Sequence, residues 1–110
     1  RFGASTALED ERDLSKVSCN LHLFDVYAKG FIEGCGGALT ELEIETLPLG
    51  AILMTFENGI RFLTDYLEGD HYFKIHREGH NLDRCRTQLT LVKDMQEKLP
   101  QMNEIIEKYK

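Results

Sequence analysis

The stretch from Leu47 to Leu67 constrains this chain more than any other. Pro48 stands at its start and Gly69 just past its end, with neither proline nor strand-like alternation between them. Proline fits the first turn of a helix and glycine fits the residue beyond its last turn, so the segment predicts one long helix from Pro48 to about Leu67. Leu49, Ile52, Leu53, Phe56, Ile60, Leu63 and Leu67 form a stripe, thickened by Met54, Phe62 and Tyr66. A helix apolar over so much of its circumference is expected at the centre of a core. It is not a membrane span: its longest nearly apolar run, Leu49 to Phe56, is far short of the ~20 residues needed.

The flanking segments repeat the helical signal. Thr40 and Glu43 have capping-box spacing, which starts a short helix at Glu41 that ends near Leu47. Asn20 caps an earlier helix, whose face is Leu21, Phe24, Tyr27, Ala28, Phe31, Ile32 and Cys35, and Gly34, Gly36 and Gly37 stop it. Asn81 is read as the cap of a later helix that buries Leu82, Cys85, Leu89, Val92 and Leu99, with Met95 beside them. Pro100 ends that helix, and a last one, Gln101 to Tyr109, presents Met102, Ile105, Ile106 and Tyr109. Asp70 to Gly79 is irregular, with room for a short extended piece at Tyr72 to Ile75. Residues 1–19 read mostly as loop. Their apolar anchors are Phe2, Leu8, Leu14 and Val17, so they need a neighbouring surface to fold on. The expectation is all-α: four or five helices joined by short loops, with residues 20–110 as the bundle.

Charge narrows the partners. The 110 residues carry a net charge of −6, which argues against non-specific nucleic-acid binding or an anionic membrane surface. Residues 1–60 hold ten acids and four bases and so account for the whole excess. Lys74, Arg77, Arg84 and Arg86, with His71, His76 and His80, form the one locally basic stretch. It suits an anionic ligand or balances the acidic half. Glu9, Asp10 and Asp13 read as solvated. Cys19, Cys35 and Cys85 are odd in number and lack Cys-x-x-Cys spacing, which reads as reduced thiols in a cytoplasmic protein. No phosphate loop, nucleophile elbow or His-Glu-x-x-His pair is present, so the residues show no catalytic group and no metal site. The start at Arg1, without an initiator Met, reads as a piece of a longer protein.

Four segments carry a family resemblance. They are Arg1-Phe2-Gly3-Ala4-Ser5-Thr6-Ala7 with the acids that follow, Leu47-Pro48-Leu49-Gly50-Ala51, the run from Met54 to Asp70, and the run from Tyr72 to Arg84. Together they resemble the C-terminal part of the N-acetylhexosamine 1-kinase group, within the aminoglycoside phosphotransferase and choline kinase-like family. The resemblance implies a two-lobed, protein-kinase-like parent, of which this chain is the helical C-terminal part of the C-lobe. The parent would transfer the γ-phosphoryl group of ATP, with Mg²⁺, to the anomeric hydroxyl of an N-acetylhexosamine. Some relatives carry the label mucin desulfatase, but no Cys-x-Pro-x-Arg or Ser-x-Pro-x-Arg motif occurs here. The family's His-Gly-Asp-x-x-x-x-Asn loop and Asp-x-Asp segment are also missing, so the piece alone is expected to be inactive as a kinase. What the resemblance places in this chain is part of the sugar site: Arg61, Tyr72 and, bordering the acetamido pocket, Phe2. The alternatives are ordinary: Arg61 paired with Glu57 or Asp65 along its helix, Tyr72 as packing, Phe2 as a frayed end. A second functional reading is a non-enzymatic helical module that self-associates through exposed apolar surface.

Overall fold

In a computed structural model, which describes residues 3–110, the chain is all-helical. After a 3-10 turn at Leu14–Lys16 come α1 (Leu21–Gly34), α2 (Glu41–Glu45), α3 (Leu47–Leu67), α4 (His80–Glu97) and α5 (Leu99–Glu107). No strand forms among the described residues, the segment Tyr72 to Ile75 included; Ser5 and Cys19 meet in a single isolated bridge. None of these helices is long and apolar enough to cross a membrane.

Local signals placed the helix ends well. The Asn20 side chain accepts from the Leu23 N–H at 3.0 Å. The Thr40–Glu43 capping box closes in both directions, at 3.1 and 3.2 Å. Pro48 lies in the first turn of α3, and Gly69 follows its end at φ 99°, which a side chain would strain. Pro100 falls inside the first turn of α5, which begins at Leu99 rather than after the proline.

Packing departs from the expectation in one respect that matters. The central helix is α4, not α3. On one side α4 lies against α3; on the other it carries the N-terminal segment, residues 3–20. It therefore buries His80, Asn81, Thr87 and Gln88 as well as Cys85, Leu91, Val92 and Met95, while the expected core residue Leu89 stays 39% exposed. The buried hydroxyl of Thr87 donates to the carbonyls of Glu11 and Asp83, at 2.8 and 3.0 Å. Polar residues are tolerated inside because each finds such a partner.

The face of α3 that meets α4 is Pro48, Ile52, Thr55, Gly59, Phe62 and Asp65. Gly59 sits where a Cβ would lie 3.3 Å from both the Gln88 Cβ and the Leu89 Cδ2, so its lack of a side chain lets the two helices close up. Of the expected stripe, Ile52 and the flanking Phe62 are buried on that face and Leu63 is half-buried, whereas Leu49, Leu53, Phe56, Ile60 and Leu67 are 42–74% exposed. In α1, likewise, only Phe24 and Ala28 are buried, and Tyr27 and Phe31 are exposed.

The N-terminal segment is a fitted strap. Its anchors are Ala4, Val17 and Cys19, whereas Leu8 is 72% exposed and Leu14 38%. Polar bonds hold it along α4. Asp94 accepts from the Cys19 N–H at 2.6 Å, and Lys98 bridges Asp94 and the Cys19 carbonyl, both at 2.7 Å. Of the acids expected to be solvated, Asp10 is half-buried and meets His80 and Arg77, while Asp13 is exposed and caps the Leu14–Lys16 turn. The cysteines are free thiols, and burial pushes the Cys19 and Cys85 thiols above the ordinary range.

Candidate functional site

The loop after α3 is organised by one carboxylate. Asp65 lies in the last turns of α3, 4% exposed. Its Oδ1 accepts from the Tyr72 N–H at 2.7 Å, and its Oδ2 accepts from the Phe73 N–H at 3.0 Å and from the Asn81 Nδ2 at 2.7 Å. Burial pushes its pKa up and is the largest single influence. The N–H groups of Phe73, Tyr72, Asn81 and His71 together outweigh it, and the carboxyl stays below its ordinary range. Asn81 is therefore not the cap of α4. It sits inside the first turn, where its amide also donates to Asp70 at 3.0 Å and its carbonyl accepts from Arg84 at 2.8 Å. Asp70 takes up the left-handed conformation, φ 63°, that folds the chain back over α3.

This clamp sets the aromatic residues in a ladder. Phe73 packs on Phe62 and Tyr72, each at 4.8 Å between ring centroids, tilted at 56° to the first and edge-on at 82° to the second. The Arg84 guanidinium lies over Phe62 at 5.6 Å. Arg61, one turn before Asp65, lies over both Tyr72 and Phe73, at 5.7 and 5.6 Å. Among the described residues Arg61 makes no ion pair, so the pairing with Glu57 or Asp65 is not the one formed. Arg61, Thr64, Asp65, Glu68, Tyr72 and Phe73 line a cleft of about 330 Å³. That is the small end of the ~300–1,000 Å³ range of ligand clefts.

The structure thus brings two of the sequence-derived candidates, Arg61 and Tyr72, to one cleft; Phe2 lies outside the described residues. Tyr72 is 74% exposed, so it offers its face to solvent rather than to a core. Sequence reasoning missed Phe73, Thr64 and Glu68 as lining and Asp65 and Asn81 as the clamp. Asp65 did carry a signal, as an acid on the α3 face that turns inward, but that face was itself misassigned.

The basic stretch divides. Arg77 pairs with Asp10 at 3.6 Å and Asp83 at 3.1 Å, and Arg84 approaches Glu9 at 3.9 Å, so these two arginines balance the acidic strap. The nitrogens of the buried His80 are both engaged. Its Nδ1 accepts from the His76 N–H at 3.1 Å, which leaves Nε2 to donate to Asp10 at 2.7 Å. That hydrogen bond is the foremost reason the Asp10 carboxyl lies below its usual range.

The arrangement defines a class: an all-helical unit with an open cleft whose walls are one guanidinium, two aromatic rings and a few hydroxyl and carboxylate oxygens. Chemically it can hold a small polar ligand, with rings for its apolar face and a fork of N–H donors for its oxygens. No family model matches the chain.

Proposed function

We propose that this chain is the helical C-terminal portion of an ATP-dependent kinase acting on the anomeric hydroxyl of an N-acetylhexosamine, and that it supplies one wall of the sugar pocket. The observation that carries the proposal is the meeting of Arg61 and Tyr72 in one open cleft beside Phe73. An aromatic face beside a planar set of donors suits a sugar ring, which is apolar on its C–H face and rimmed with hydroxyls. The Asp65 clamp supports the same reading, because it fixes the backbone of Tyr72 and Phe73 before any ligand arrives. The resemblance of the segments around Arg61 and Tyr72 to the sugar kinases supplies the substrate class. 

In the proposal, ATP, Mg²⁺ and the catalytic base belong to another part of the parent kinase, and the chain alone is catalytically incompetent. The test is steady-state kinetics of the parent protein. Arg61→Ala is expected to raise the KM for N-acetylglucosamine by about tenfold or more while the KM for ATP stays put. An unchanged sugar KM would remove Arg61 from the site.

A further inference from the structure

The cleft rests on an arginine that does not line it. Arg84 stands one turn into α4 with its side chain 14% exposed, and its guanidinium meets three neighbours at once. Its Nη1 donates to the Asn81 Oδ1 at 2.8 Å. Its flat face lies over the Phe62 ring at 5.6 Å. Its Nε is 3.9 Å from the Glu9 carboxylate of the strap, beyond hydrogen-bond reach. The first two contacts lead to the cleft. Asn81 is fully buried, and Arg84 is the donor that meets its Oδ1. An arginine has donors and no acceptor, so it holds the carbonyl end of the amide toward itself and turns the Nδ2 end to the carboxylates of Asp65 and Asp70, at 2.7 and 3.0 Å. Asp65 in turn fixes the Tyr72 and Phe73 N–H groups. Phe62, 3% exposed, backs the Phe73 ring at 4.8 Å. The backbone and the ring of the aromatic wall therefore both refer to one guanidinium.

We infer that Arg84 is a positioning residue of the cleft. Through Asn81 it sets the backbone of Tyr72 and Phe73, and through Phe62 it sets the ring of Phe73; its charge pairing with Glu9 is incidental to the site. Lysine does not replace it. An ammonium keeps the charge beside Glu9 but has no flat face to lay on Phe62 and no fork to serve two partners. The loss would fall on the buried Asn81 Oδ1, which gives up its donor, and then on the carboxylate clamp that depends on the orientation of that amide. The inference rests on the reading of the cleft as a sugar site for its ligand, while its geometry stands without one.

The test is amide hydrogen exchange and N-acetylglucosamine titration of the 110-residue chain, both followed residue by residue by NMR. In Arg84→Lys the Tyr72 and Phe73 amides are expected to exchange about tenfold faster. The dissociation constant for the sugar should rise about fivefold, because the aromatic wall is no longer set in advance. The amides of Leu91 and Val92, in the middle of α4, should keep their exchange rates. Glu9→Gln removes only the charge on the strap and should leave every one of these values within about twofold. Arg84→Lys matching the wild type at Tyr72 and Phe73, a uniform speeding that includes Leu91 and Val92, or Glu9→Gln reproducing the loss would overturn the proposal. So would loosened amides with an unchanged dissociation constant. A wild-type chain that ignores the sugar would instead overturn the sugar reading, and the exchange rates alone would then judge Arg84.

Discussion

Helices α3 and α4 invert the usual relation between composition and burial. The more apolar, α3, leaves six large hydrophobic residues in solvent, while the more polar, α4, buries a histidine, an asparagine, a threonine and a glutamine. Apolar content measures what a helix gains by being covered. It does not say which neighbours arrive to cover it. Here the strap and α3 flank α4 on two sides, and the strap brings mainly polar groups, so the side chains that answer it are polar.

The contrast can be broken by deletion. The largest effect is expected from Leu91→Ala, which removes a side chain only 1% exposed; about 2–5 kcal/mol of stability should be lost in urea melts. Next is Thr87→Val. It leaves the Glu11 carbonyl without its donor and should cost about 1–2 kcal/mol, with faster amide exchange in the strap. The smallest effect is expected from Leu53→Gln on the open face of α3, where the side chain is 57% exposed: within about 0.5 kcal/mol.

Acid sharpens the comparison from the strap side. The Asp10 carboxyl lies below its ordinary 3.8 because His80 donates to it, so the ionised form is favoured by folding. Its contribution is fully present above the unfolded pKa and is lost as pH falls through the lower, folded value. Thermal melts should therefore be insensitive to this group near neutrality and decline below about pH 4, and Asp10→Asn should flatten part of that decline. An unaltered acid limb in the variant would show that the Asp10–His80 contact contributes nothing to stability.

Local grammar was legible in the residues: the Asn20 cap, the Thr40–Glu43 box, Pro48 and Gly69 each act within a few positions of themselves. The candidate site was legible in part. Arg61 and Tyr72 came from a resemblance, while Asp65 and Asn81, sixteen positions apart, join only when α3 and α4 pack. Asn81 illustrates the limit. Its side chain suits a cap equally well, and the buried carboxylate across the helix pair decides against it.

By itself, then, the sequence determined that this protein is helical, where most of its helices begin and end, and that α3 has more apolar surface than one neighbour needs. Those properties follow from backbone capping and side-chain periodicity, which are local. Only the tertiary structure decided which face of α3 turns inward, that α4 is the centre, and that residues 3–20 have a surface to lie on. Burial is a property of pairs of elements, and a helix with apolar residues on two sides has two faces to offer, of which packing chose the one that let Gly59 and Asp65 meet α4.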